Sequence, residues 1–516
     1  MASPDKQPTA PCHVVAMPYP GRGHINPMLD LCTALAENIG EILVTFVVTE
    51  EWLGLIGSVS KPPNISFATI PNVVPSEKVR GDDNRGFAMA VMSKMEEPFD
   101  RLLGDLELKP AVIIAGAFLH WAANVANRRN IPLAYMWTMS ASVYTIFYHF
   151  DLLVQNGHFP VNLSVVITSN VDVPDFVPPP LNPIAVYRSV VPISPADQAM
   201  LRIQAPLRQI LSDYSFPRVE VPLNGDDIVD YIPGLPPLLV ADLPQIIRDQ
   251  ESISALLKII PQESKSNYLL FSSIYELESQ VFDILKKKSA FSIYNISPAT
   301  SYSKVKNTIN NSNKNDENIF KWLNLQSPNS VLYISQGSFR SVSRTHMDEI
   351  AIGLCSSGVR FLWIARNETT RLQEICGEKG LVVDWCDQLS VLCHSSVGGF
   401  WTHCGWNSTK EALLAGVPML TLPIGMDQVT NAKAIVEDWR VGWRVKREFD
   451  EGDLMRMGEI KELLLRFMDL ESLERKEISR NARELQKICE REFADGQSFQ
   501  INLNGFTKSI LQHRSI

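Results

Sequence analysis

Five short stretches hold residues that could do chemistry together. Trp401-Thr402-His403-Cys404-Gly405-Trp406-Asn407-Ser408 reads as a strand end, a glycine turn and a helix opened by Asn407 or Ser408. Backbone donors at such a helix start, joined by the Asn and Ser side chains and by His403, make a pocket for an anion such as a phosphate. Asn and Ser are also ordinary helix caps, so the stretch alone leaves both readings open. Asp427 and Gln428, just past the following strand, set an acid beside an amide, which suits the bracketing of sugar hydroxyls. Trp385 and Gln388 pair a flat stacking surface with an amide, which suits a base and its ribose. Glu411, one turn into the helix, could take ribose hydroxyls through its carboxylate or simply face solvent. Gln336-Gly337-Ser338 adds a second anion candidate, through close backbone approach at Gly337 and the Ser338 hydroxyl.

The fifth stretch is Gly21-Arg22-Gly23-His24-Ile25-Asn26-Pro27, which puts His24 after a first strand and at a helix start. An imidazole with its ordinary pKa near 6.5 would serve there as a general base at neutral pH, although a histidine in a turn is often structural. No cluster of metal-ligand type surrounds it, so metal catalysis has no support in the sequence. ATP and NAD are disfavoured, because no P-loop lysine is present and Gly21-Arg22-Gly23 lacks the third glycine of a dinucleotide fingerprint.

These residues need a scaffold, and a chain of 516 residues predicts more than one core. Short apolar runs alternate with amphipathic stretches, the pattern of a parallel sheet covered by helices, so the expected class is α/β with two doubly wound domains. Strands are expected at His13 to Met17, Ile42 to Val48, Ala111 to Ala115 and Leu133 to Trp137. A second set is expected at Val331 to Ser335, Phe361 to Ala365, Gly380 to Val383, Gly398 to Trp401 and Met419 to Pro423. Helices are expected at Pro27 to Asn38, Thr345 to Ser356 and Ser408 to Ala415. Residues 165 to about 224 contain ten prolines and no glycine, and read as a surface excursion from the first domain. Ser297 to Glu317 is rich in Ser, Asn and Lys and reads as a linker. The expected division is therefore residues 1–296, a linker at 297–317 and residues 318–516, with the last helical segment closing back over the first domain.

The net charge of -9 and the lack of a basic tract make nucleic acid a poor partner. No apolar run approaches the roughly 20 residues that span a bilayer. The eight cysteines show no C-x-x-C pair and the N-terminus has no apolar leader core, which together predict a reducing, cytoplasmic setting.

The stretch Trp385 to Gln428 resembles the signature box of the plant family-1 UDP-glycosyltransferases: W-C-D-Q at its start, H-C-G-W-N-S-T-K-E in its middle and D-Q at its close. The resemblance extends to G-H-I-N-P around His24, G-S-F-R-S at 337–341 and F-L-W-I-A-R at 361–366, and covers almost the whole chain except roughly 165–224. It implies the GT-B architecture, two Rossmann-like domains facing a cleft, with donor held mainly by the second and acceptor by the first. It implies that Trp385 stacks on uracil, that Gln388 and Glu411 hold ribose, and that Ser338, His403, Asn407 and Ser408 hold the diphosphate. Trp406, Asp427, Gln428 and, from the first domain, Thr138 are implied to reach the sugar. Trp406 and Gln428 look like the glucose-using members, so UDP-glucose is the expected donor substrate, with no cofactor. The implied chemistry is inverting transfer to a hydroxyl of a small, largely apolar molecule by a monomer, with His24 as base. One position departs from the pattern. The family usually has an aspartate after the strand expected here at Ala111 to Ala115, in a run like I-A-D-x-F-L, to orient the base; here the run is Ile114-Ala115-Gly116-Ala117-Phe118-Leu119. Gly116 makes a catalytically impaired or non-catalytic sugar-nucleotide binder the alternative expectation.

Overall fold

The structure is a computed structural model and describes residues 11–38, 40–77, 80, 83–158, 226–248, 253, 266–289, 291–296, 317–337, 342–447, 449, 452–493 and 496–512. The proline-rich stretch 165–224, the linker as far as residue 316, and Ser338 lie outside the described residues.

The first half is built on β1 (Cys12–Met17), β2 (Ile42–Thr49), β3 (Ile65–Ile70), β4 (Val112–Gly116) and β5 (Leu133–Trp137). A short antiparallel pair, β6 (Ile228–Val229) and β7 (Leu238–Leu239), stands apart from the main sheet. The sheet is then completed by β8 (Tyr268–Phe271) and β9 (Ser292–Asn295), in the order β3-β2-β1-β4-β5-β8-β9. The second half uses β10 (Val331–Ser335), β11 (Arg360–Ile364), β12 (Gly380–Val383), β13 (Val397–Thr402), β14 (Met419–Thr421) and β15 (Gly442–Arg444). Their order is β12-β11-β10-β13-β14-β15, and every pairing in both large sheets is parallel.

Continuous apolar runs explain the parallel arrangement. All six residues of β1 and all five of β4, β5 and β10 are buried, as strands covered by helices on both faces require. Each sheet accordingly separates two apolar layers: Val15, Ile113 and Tyr135 on one face of the first and Val14, Val44 and Ile114 on the other. The second sheet does the same with Tyr333 and Phe400 against Leu332 and Trp363. The two Rossmann-like halves of a GT-B fold are therefore present. The last helix, Ser498–Gln512, lays Phe499, Leu503, Phe506 and Ile510 into the core of the first sheet, and Asn502 accepts from the Asn295 amide at 3.1 Å.

Strand order reverses between β1 and β4 in one sheet and between β10 and β13 in the other, and ligands in such sheets gather outside the strand ends at those points. Pairing of Met17 with Ala115 brings the loop carrying Gly21 beside the one starting at Gly116. Pairing of Ser335 with Thr402 sets Gly337 beside His403. Among the described residues no helix is long and apolar enough to cross a membrane. None of the eight cysteines forms a disulfide, and six of them are buried.

Candidate functional site

The helix after β13 runs Trp406–Ala415, two residues earlier than the sequence predicts, and its N-cap is Gly405 with no side-chain cap bond. Asn407 and Ser408 are thus inside the helix, so ordinary capping does not explain them. Cys404, just before the cap, has φ +66, a conformation that β-carbon-bearing residues visit sparingly and that marks a tightly determined loop. Its amide donates to Thr402 Oγ1 at 3.0 Å, and Asn431 Nδ2 donates to its carbonyl at 2.9 Å.

Ser408 and Glu411 share one helix face by their i, i+3 spacing, and Gln388 meets both. Gln388 Nε2 donates to Ser408 Oγ at 2.9 Å and to Glu411 Oε2 at 2.5 Å, while its Oε1 accepts from the Tyr333 hydroxyl at 3.2 Å. Burial pushes the Glu411 carboxyl up to about 7, with the Gln388 bond pulling the other way. Trp385, 45% exposed, precedes this network, and the Arg22 guanidinium lies 5.4 Å from its ring centroid and 5.9 Å from that of Trp52. Arg22 lies in the stretch Gly21 to Pro27, where the sequence reading gives it no role; it bridges the two halves at the ring expected to stack on a base.

His403 packs so closely on Gly337 that a β-carbon there would lie 2.6 Å from Nε2. Gly337 has φ +81, so both its backbone angle and its close approach require glycine. Burial pushes the His403 imidazole down to about 4 against the Ser335 backbone bond, which makes it neutral at pH 7. Asp427 is held by Asn431 Nδ2 at 2.8 Å, and burial raises its carboxyl to about 6. Gln428 Oε1 accepts from the Ile424 and Gly425 amides at 2.7 and 3.0 Å, which turns its amide nitrogen into the end available to chemistry. The Trp406 indole donates to the Ser272 carbonyl of the first half at 3.0 Å.

On the first sheet the helix starts at Arg22 rather than at Pro27, which sits inside it. Proline has no N–H, so the carbonyl four residues back, that of Gly23, lacks its helical donor. Asn407 Nδ2 supplies one from the other half at 2.8 Å. A residue expected to hold diphosphate therefore also brings the two sheet edges together one residue from His24.

His24 Nδ1 pairs with Thr138 Oγ1 at 2.9 Å, and the rings of Tyr19 and Phe118 stand 5.1 and 5.6 Å from its own. Among the described residues no carboxylate hydrogen-bonds it. The expectation of an ordinary imidazole pKa is corrected: burial first, then the Arg80 guanidinium, push His24 down to about 4. Arg80 is itself buried beside Gly21 and paired with Glu77 at 2.7 Å. Only the proton arrangement in which Nδ1–H donates to Thr138 leaves Nε2 able to accept a proton. A neutral hydroxyl can hold that tautomer but cannot offset the charge of the imidazolium that forms. Gly116 adjoins the same corner, and a β-carbon on it would lie 2.8 Å from the Tyr19 amide nitrogen.

The residues that sequence reasoning misses are Ser272, Lys410, Arg22 and Arg80. Lys410 leaves a trace: it lies four residues after Trp406 and three before Leu413, on the face that carries the helix's apolar side chains. Ser272 leaves none, because it follows a strand too short for the apolar pattern to reveal.

Comparison with known proteins adds the following. The model of the family described as UDP-glucoronosyl and UDP-glucosyl transferase matches residues 260–459. UDP-glycosyltransferase 87A1 of Arabidopsis thaliana is 42% identical over 96% of this chain and 99% of its own. A Phytolacca americana UGT2 structure, complexed with UDP-2fluoro-glucose and pterostilbene, superposes with a TM-score of 0.69 at 22% identity, over 97% of this chain and 100% of that one. Medicago truncatula UGT71G1, complexed with UDP-glucose, gives a TM-score of 0.69 at 21% identity, over 97% and 98%.

Proposed function

The chain belongs to the plant family-1 UDP-glycosyltransferases, and we propose that it transfers glucose from UDP-glucose to a hydroxyl of a small, largely apolar acceptor, inverting the anomeric carbon. The observation that carries this reading is the Asn407–Gly23 bond, which draws the Gln388–Ser408–Glu411 network and the His24–Thr138 pair to one seam between the sheets. UDP-glucose and its fluorinated analogue in the two solved structures support glucose as the sugar.

In this reading uracil stacks on Trp385, Gln388 and Glu411 receive ribose, and the diphosphate meets the uncapped helix start with Ser408, Asn407, His403 and, outside the described residues, Ser338. Trp406, Asp427, Gln428 and Thr138 reach the hexose. The acceptor oxygen attacks the anomeric carbon as its proton passes to His24 Nε2, the bond to the diphosphate oxygen breaks, and UDP leaves with the electron pair. The helix-start amides stabilise that leaving charge, the kind of preorganised electrostatics that supplies a large share of catalysis. No metal or cofactor takes part. Tyr19 and Phe118 around His24 favour an apolar acceptor. In this reading the chain works as a monomer in the cytoplasm.

A second reading, a slow enzyme that mainly binds the sugar nucleotide, is favoured by the hydroxyl-only partner of His24 and by Gly116. Calorimetric titration with UDP, followed by an assay of UDP release from UDP-glucose over a panel of phenolic and terpenoid alcohols, separates them. Binding with turnover supports transfer, binding without it supports the slow enzyme, and no heat on titration removes both.

A further inference from the structure

Lys410 is fully buried in the helix Trp406–Ala415, and no step of the transfer uses it. Its Nζ donates to the Ser272 carbonyl at 2.5 Å and to Ser272 Oγ at 2.7 Å. Trp406, one turn earlier on the same face, donates its indole N–H to that same carbonyl. Ser272 is fixed in turn, because its amide donates to the Trp137 carbonyl at 2.9 Å. The residue after Trp137 is Thr138, the partner of His24. A continuous path therefore runs from the donor-side helix through Ser272 to the residue that orients the base.

We propose that Lys410 is a positioning residue of the donor site: by anchoring Ser272 it fixes the carbonyl that orients the Trp406 indole, and with it the surface Trp406 turns to the hexose. This rests on the reading that Trp406 meets the sugar. An apolar side chain of similar length would fill the space without the cost of burying an ammonium, and such replacements are often neutral or stabilising. The contribution of the amine thus lies in its two bonds. The charges around it come from four elements: Glu411 on its own helix, Asp30 on the helix Arg22–Asn38, Glu278 ahead of the helix Ser279–Lys288, and Glu492 at the end of the helix Leu473–Glu492. Burial outweighs their pull and lowers the amine to about 7, so it titrates near neutrality while remaining a hydrogen-bond donor in both forms.

The test uses the full chain with Lys410→Met and Lys410→Gln, titrated separately with UDP and with UDP-glucose. Lys410→Met is expected to weaken UDP-glucose roughly tenfold, as losing one hydrogen bond does, and UDP by less than about twofold. Lys410→Gln, which keeps an amide donor on a shorter side chain, should recover part of the loss, and the thermal midpoint of Lys410→Met should match or exceed that of the parent. Equal weakening of both ligands, or of neither, overturns the inference. Trp406→Phe, which deletes the indole donor, separates it from the reading beneath. Loss of UDP-glucose affinity in Trp406→Phe with Lys410→Met silent overturns the inference alone, and silence in both overturns the sugar contact itself.

Discussion

Around β13 the Gln388 amide spans Ser408 and Glu411, the neighbouring loop is locked by Asn431, and Gly337 and His403 fit against each other with no room for a β-carbon. Around β1 and β4 His24, the proposed base, has a hydroxyl partner, two aromatic neighbours and a guanidinium that opposes its protonation. Both places are the switch points of parallel sheets, so the fold offers them equal opportunity. The difference lies in the side chains: the proposed donor half pairs Gln388 with Ser408 and Glu411 and Asp427 with Asn431, and the proposed acceptor half offers His24 no carboxylate partner among the described residues. Binding and turnover should therefore respond to different substitutions.

The sharpest break of that comparison is His24→Ala. It is expected to lower turnover by about 10² to 10⁴, the usual worth of a general base, with UDP affinity unchanged in calorimetry. A comparable loss of UDP affinity would show that the two halves are not separable. Next in size is Gly116→Asp, which adds the missing carboxylate. It is expected to raise turnover by roughly 10², within the 10⁴ cost of removing such a group elsewhere. The acid limb of the kcat/KM profile should move upward from near pH 4, since a nearby carboxylate favours the imidazolium. The β-carbon needs the Tyr19 loop to retreat from 2.8 Å, so a stability loss on the order of 1–3 kcal/mol should accompany the gain in chemical unfolding. Unchanged turnover with an unmoved acid limb would locate the deficit elsewhere than residue 116.

Much of this contrast is legible in the amino-acid sequence. Continuous apolar runs mark the central strands of both sheets, the loops that follow strands bring out Trp385, Gln388, Ser408 and Glu411, and the family resemblance brings out the departure at Gly116. Short or mixed strands such as β3, β8, β9 and β15 escape, because alternating or brief runs carry little periodicity. Pro27 read as a boundary misplaces the start of the first helix; the fold tolerates the proline because Asn407 serves the carbonyl it orphans. The depressed pKa of His24 is not legible, since burial and the approach of Arg80 are tertiary facts. The same holds for Ser272, whose importance lies in a carbonyl that any residue would carry.

The smallest expected effect probes the donor half by pH. Glu411 titrates near 7 because burial disfavours its carboxylate, and only the carboxylate accepts two ribose hydroxyls as the reading requires. At pH 8 about nine tenths of it is ionised and at pH 6 about one tenth, so UDP affinity should fall by up to about tenfold on acidification across that window. The sign follows from binding that favours the ionised form: ligand lowers the Glu411 pKa, so binding at pH 7 takes place with release of about half a proton, visible as a buffer-dependent heat. Glu411→Gln keeps the shape but removes the titration, and should bind UDP about tenfold more weakly than the parent at pH 8 and almost independently of pH from 6 to 8. A parent whose UDP affinity is flat over that range would mean that Glu411 does not bear the ribose, and that the donor half owes its strength to stacking on Trp385 and to the helix start instead.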